Sequence, residues 1–239
     1  MGEKPILFNT QMVRAILNGS KTQTRRLIKR RYDNTVLEMK TDKYGTRLIE
    51  IQKDEEGVTF GKHEDGSTWR KLRAYVEPKP AYKHGDILYV RETWRPVKYK
   101  KPSCAVPIDF KEDDYAYFAD GIVRADGKKD KWRPSIHMPK EAARIFLRVT
   151  NVRLERLKDI SERDAISEGF DEEPIKDRNT NINFMCSVDC LQGSARGKFA
   201  LLWNTTVKPD TKDIYGWDAN PWVWVYTFER IDNPREANA

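Results

Sequence analysis

The chain has 239 residues, with 44 Lys and Arg against 37 Asp and Glu, for a formal net charge of +7. Residues 1 to 31 hold eight basic side chains against Glu3 alone, so the whole excess lies in this segment and the rest of the chain balances. That concentration excludes a uniformly basic coat for nucleic acid, and 38% hydrophobic residues with seven Trp, nine Phe and ten Tyr exclude a chain disordered throughout.

The first expected element is a helix from Thr10 to Asn18, because Met12, Val13, Ile16 and Leu17 fall on one helical face. Asn9 or Thr10 can cap its start and Gly19 can end it. From Lys21 to Arg31 come six cations and no anion, and Thr22 and Thr24 favour an extended backbone there. Residues 32 to 82 are polar and turn-rich, with Tyr44-Gly45, Glu56-Gly57 and Asp65-Gly66 marking hairpins. His84-Gly85-Asp86 turns the chain into a strand from Ile87 to Trp94, in which Leu88, Val90, Glu92 and Trp94 share a face.

Residues 96 to 140 read as an insertion, rich in proline, with an acidic cluster at Glu112, Asp113 and Asp114 and a hairpin at Asp126-Gly127. The acidic cluster is open to two readings, a hard-cation site or a solvated charge run, and the second is preferred. Arg144 to Leu154 alternates Ile145, Leu147 and Val149 as a strand does. A short helix follows from Ser161 to Glu168, opened by a Ser-x-x-Asp cap and closed by Gly169. After a loop at 170 to 192, Ala195 to Asn204 forms a helix carrying Phe199, Leu202 and Trp203 on one side. The last strand, Trp222 to Arg230, places Trp222, Trp224, Tyr226 and Phe228 on one face and Val223, Val225 and Thr227 on the other.

Many short strands with a few short helices describe an α+β protein built on a small β-barrel with helical decorations. No repeat is present, since the two Trp-Arg-Pro triplets at Trp94 and Trp132 stand alone. No run reaches the roughly 18 apolar residues of a membrane helix, and Pro5 and Asn9 break the N-terminus, so a soluble cytoplasmic protein is expected. Cys104, Cys186 and Cys190 form an odd set with a single C-x3-C pair, which reads as free thiols. Neither a metal nor a cofactor is expected.

Gly19-Ser20-Lys21-Thr22-Gln23-Thr24-Arg25-Arg26 resembles the Gly-x-Lys-Thr-x-Thr-x-Arg signature of the ASCH domain, a PUA-like β-barrel superfamily tied to RNA and modified nucleosides. Three further segments fit the resemblance: the Gly85-Asp86 turn with its strand to Trp94, the Arg144 to Leu154 strand, and the run Asp164-Ala165-Ile166-Ser167-Glu168-Gly169. The whole chain is similar to prophage-encoded ASCH-like proteins of about this size. The resemblance implies a single PUA-like domain over residues 1–239, with insertions at about 32–82, 96–140 and 170–192. In the small bacterial amidohydrolase branch, a Lys and a Thr of this motif and a Glu on the following helix hydrolyse the amide of N4-acetylcytidine. By position these fall on Lys21, Thr24 and Glu168.

The chemistry is consistent with those residue types. A Thr hydroxyl attacks an amide carbon when a base takes its proton, and a neutral Lys amine can do so. Lysine ordinarily titrates near about 10.4, so Lys21 needs burial and the cations Arg25 and Arg26 to act near neutral pH. Glu168 would protonate the leaving amine, and its place at a helix C-terminus disfavours a negative charge. In a regular strand Lys21 and Thr24 would point to opposite faces, so their cooperation requires a bend or bulge just after Ser20.

Thr22, Arg25 and Arg26 are further candidates for contact with substrate or nucleic acid. Glu92 either accepts from a cytosine amine, orients Lys21, or pairs with an arginine. Trp94 and Trp222, the latter following Asn220-Pro221 at a loop edge, are candidates to stack a base, whereas Trp224 reads as core. Three functions compete: an amidohydrolase acting on an acylated pyrimidine, a non-catalytic module that binds RNA or a modified nucleoside, and a phage structural role.

Overall fold

The computed structural model describes residues 2–32, 35–43, 45–52, 60–62, 68–70, 75–96, 115–121, 131–170 and 194–234. The three cysteines, the acidic cluster at 112 to 114, the Glu56-Gly57, Asp65-Gly66 and Asp126-Gly127 turns and the loop at 171 to 192 lie outside these residues.

Strand β1 (Lys4–Leu7) leads into helix α1 (Thr10–Leu17), which starts where the Asn9 side chain accepts the Met12 N–H at 2.9 Å. After α1, Gly19 takes a left-handed φ of +82°, and this turn delivers the chain to β2 (Gln23–Leu27). Strands β3 (Thr35–Asp42) and β4 (Gly45–Gln52) form the hairpin expected at Gly45, and Ile51 and Glu50 of β4 also pair with β7 (Tyr75–Val76). β5 (Phe60–Lys62) and β6 (Thr68–Arg70) pair with each other.

The main sheet continues with β8 (Ile87–Arg91), followed by β9 (Trp94–Pro96) and β10 (Tyr115–Tyr117), which pair separately. Its longest member is β11 (Phe146–Arg156). Helices α2 (Glu162–Ser167), α3 (Ala195–Thr206) and α4 (Lys212–Tyr215) precede the last strand, β12 (Trp222–Ile231). The sheet order is β1-β8-β11-β12-β2, with only β1 and β8 parallel.

The architecture is mixed α+β, mostly sheet at the core with few short helices. Among the described strands, β1 and β2 lie at the two ends of the order and do not pair, so the sheet does not close into the expected barrel. A side chain spans the opening instead: Arg26 on β2 donates Nη2 to the Leu7 carbonyl at the end of β1, at 2.9 Å.

Each face of the sheet buries its own cluster. α1 covers one face, where Val13 and Ile16 pack with Leu88, Leu147, Tyr226 and Phe228. α2 and α3 cover the other, where Ala165, Phe199 and Trp203 pack with Leu157, Val223 and Val225. The alternation of β12 is therefore as expected, with both faces buried.

Two expectations change. The strand expected over Ile87 to Trp94 breaks after Arg91, because the chain changes partners: Trp94 exchanges backbone hydrogen bonds with Arg133 at 3.2 and 2.8 Å. Leu88, Val90, Glu92 and Trp94 are all buried, yet Trp94 belongs to a third cluster with Met138 and Phe146. Parts of the 96 to 140 insertion pack onto this framework, where the Ala119 carbonyl accepts Arg14 Nε at 2.8 Å and Tyr117 donates to the Ala142 carbonyl at 2.6 Å. No helix among the described residues is long and apolar enough to cross a membrane.

Candidate functional site

The open edge of β2 forms the floor of a cleft of about 770 Å³. Phe228 N–H donates to the Thr22 carbonyl and Ile28 N–H to the Trp222 carbonyl, so the even-numbered residues turn their backbone toward β12. The backbone groups of Gln23, Arg25 and Leu27 then face outward. Consistent with that, the consecutive residues Thr24, Arg25, Arg26 and Leu27 all line the cleft. Phe8 and Met12 wall one side, while Phe170, Phe199 and Trp203 wall the other.

Lys21 stands just before β2, joined to Glu168 by an isolated antiparallel bridge. Because it precedes the strand, it escapes the alternation that would have turned it away from Thr24. The left-handed turn falls earlier than the expected bend, at Gly19, and the Lys21 backbone N–H donates to the Ala15 carbonyl at 2.9 Å. Its Nζ donates to the Gln23 carbonyl, the Glu168 carbonyl and Glu168 Oε2, each at 2.8 Å. Lys21 is 2% exposed and Glu168 3%. Burial pushes the Lys21 amine below the ordinary lysine value, the Glu168 carboxylate opposes this, and Arg26 and Arg25 add to the lowering. Burial thus outweighs the neighbouring arginines as the cause.

Glu168 caps the C-terminus of α2, where the sequence suggested an uncompensated charge. The structure compensates it: Oε2 meets Lys21 and Oε1 meets Arg25 Nη1 at 3.2 Å. Two cations therefore meet this one carboxylate.

Close approach at this point depends on glycine. Gly169 has φ +95°, and a Cβ there would lie 2.8 Å from Ala15 Cβ and 3.3 Å from Lys21 Cβ. Thr24 is 3% exposed and lines the same cleft, and among the described residues its hydroxyl has no hydrogen-bond partner. Its side chain shares a face with those of Arg26, Trp224 and Tyr226, its strand neighbours and cross-strand partners.

The two adjacent arginines have separate surroundings. Arg25 is fully buried and divides its guanidinium among Glu168, Glu155 at 3.0 Å and Asp164 at 3.4 Å, below the Phe199 ring. Arg26 points to the opposite face, over the Phe8 ring at 5.2 Å, and Lys21 Nζ lies over that same ring at 5.4 Å.

Of the residues expected to touch substrate, the structure brings Lys21, Thr24, Arg25, Arg26 and Glu168 to one cleft. The others are not among its lining. Thr22 is exposed and engages through its backbone, its N–H donating to the Ser167 carbonyl at 2.8 Å. Glu92 takes the arginine option, paired with Arg144 Nε at 2.9 Å. Trp94 packs edge-on to Tyr115 beneath the Arg133 guanidinium. Asn220, at φ +48°, accepts the Lys158 N–H at 2.7 Å, and Trp222 carries the Arg156 guanidinium at 4.1 Å and donates Nε1 to the Leu37 carbonyl. Glu92, Trp94, Asn220 and Trp222 are thus held in contacts with other parts of the fold.

Sequence reasoning missed Glu155 as a partner of Arg25, Asp164 in any role beyond its cap, and the aromatic walls Phe8, Phe170, Phe199 and Trp203. The alternating charges Arg153 and Glu155 on β11 were the available signal. No protein-family model, curated protein or solved structure matches this chain, so the family resemblance rests on its own residues.

Proposed function

We propose that the chain is an ASCH-type amidohydrolase, with a PUA-like fold left open between β1 and β2, that binds a modified pyrimidine and hydrolyses an exocyclic amide of the N4-acetylcytidine kind. One observation carries this reading: Lys21, Thr24 and Glu168 line a single cleft, with Lys21 Nζ 2.8 Å from Glu168 Oε2. The cleft volume suits one nucleoside, and aromatic walls with few convergent polar groups suit a planar base.

The chemistry follows from the buried pair. A proton passes from the Lys21 ammonium to the Glu168 carboxylate, leaving an amine and an acid in a site that disfavours separated charges. The amine takes the Thr24 hydroxyl proton while Oγ1 attacks the acyl carbon. The tetrahedral intermediate collapses as Glu168 gives its proton to the departing N4 nitrogen, and the C–N bond breaks. That step restores the ion pair, and water then cleaves the acyl ester on Thr24, releasing the carboxylic acid and regenerating the Thr24 hydroxyl.

A second reading, a binding module without turnover, is favoured by one observation: all three Lys21 donors already have acceptors. Release of cytidine from a panel of N4-acylated cytidines separates the two. The amidohydrolase reading expects turnover that Thr24→Ala reduces by at least about 100-fold. A wild-type protein inactive on the whole panel sinks it.

A further inference from the structure

The charge of the cleft exceeds what its Lys21–Glu168 end requires. Among the described residues, its lining holds the cations Lys21, Arg25, Arg26, Lys29 and Lys208 against a single carboxylate, Glu168. Lys21 and Arg25 share that carboxylate, and Arg25 also meets Glu155 and Asp164. Arg26, Lys29 and Lys208 have no carboxylate partner among the described residues.

These three cations have a consistent placement. Arg26 is held in advance by the Leu7 carbonyl and the Phe8 ring, so it loses little freedom on meeting an anion. It stands two residues beyond Thr24 on the same side of β2, about 7 Å along the strand. Lys29 lies three residues further on, and Lys208 enters from the turn after α3; both are exposed. A ligand whose planar part reaches Thr24 would therefore meet the Arg26 guanidinium over the Phe8 ring it shares with Lys21, in a lining that also holds Lys29 and Lys208.

We propose that Arg26, Lys29 and Lys208 form a phosphate subsite, so that the ligand is a nucleotide and not a bare nucleoside. The placement of its base at Thr24 rests on the pyrimidine reading above; the phosphate subsite does not. The phosphate belongs either to a free 5′-mononucleotide or to an RNA strand, and the chemistry that recognises it is the same. Arginine is suited to this role because its planar fork matches phosphate oxygens.

Calorimetric titrations of the full chain test this with cytidine against cytidine 5′-monophosphate, adenosine against adenosine 5′-monophosphate, and a pentacytidylate RNA. The monophosphate of each pair is expected to bind at least about tenfold tighter than its nucleoside in about 50 mM salt, with the gain shrinking toward about 200 mM. Arg26→Gln is expected to bring the ratio within about threefold of unity, and the double variant Lys29→Glu/Lys208→Glu, at exposed positions, does the same should Arg26→Gln not fold. RNA binding tighter than the monophosphate assigns the phosphate to RNA; equal binding assigns it to the free nucleotide. A phosphate gain with adenine but no binding of either cytosine ligand keeps the subsite and removes the pyrimidine reading, as turnover-negative protein with the gain intact removes only hydrolysis. Equal affinity within both pairs, or a gain that survives both variants, overturns the proposal.

Discussion

At the scale of residues, the site depends on two kinds of contact that differ in what their removal reports. Glu168 is enclosed by Lys21 and Arg25, so Glu168→Ala leaves two buried cations uncompensated and is expected to cost about 3–5 kcal/mol of stability. Loss of activity in that variant would therefore say little about catalysis. Gly169→Ala introduces a Cβ 2.8 Å from Ala15 Cβ at a left-handed φ, and should destabilise the fold by about 1–3 kcal/mol in urea unfolding. An unchanged midpoint would mean that α1 and the Lys21 segment shift apart at no cost. Lys21, Thr24 and Glu168 were legible in the sequence through the signature alone. The difference between Arg25 and Arg26 was not, because it is set by Glu155, separated from Arg25 by 130 positions along the chain.

At the scale of elements, α2 positions Glu168 through a capping box in which the Ser161 hydroxyl accepts the Asp164 N–H at 3.0 Å. Asp164 also reaches Arg25, and although burial works against it, the Arg25 charge and the Ser161 contact hold its carboxyl below the usual aspartate range. A depressed value in the folded state stabilises the fold above the unfolded value of about 4, and the contribution fades as pH falls through the folded value. Asp164→Asn should accordingly cost about 1 kcal/mol from pH 5 to 8, with the gap to wild type closing below about pH 4. A gap constant across that range would show that the carboxylate charge plays no part. The caps of α1 and α2 and the two faces of β12 were readable because their determinants are local. β1 and the break after Arg91 were not, since both are set by pairing with β8 and Arg133, which are distant in sequence.

At the scale of the whole molecule, four of the eight basic side chains in the first 31 residues, Lys21, Arg25, Arg26 and Lys29, line the cleft along one open strand edge. Such a distribution attracts a short anionic ligand without creating a long track. The affinity for single-stranded RNA should fall with salt at a log-log slope of magnitude about 1–3, as expected for a few phosphate contacts. A flat slope would remove the phosphate contacts, and one near 10 would imply an extended surface. The mixed fold could be read from alternation and caps, whereas whether the sheet closes could not, because closure depends on β1 meeting β2. An arginine at position 21 separates a chemical role for Lys21 from a purely electrostatic one, since arginine stays protonated. The most direct measurement compares wild type with Lys21→Arg for release of cytidine 5′-monophosphate from its N4-acetyl derivative, alongside binding of cytidine 5′-monophosphate. The expected result is turnover reduced by at least about 100-fold with affinity within about threefold; retained turnover in Lys21→Arg, or turnover and affinity falling together, would contradict it.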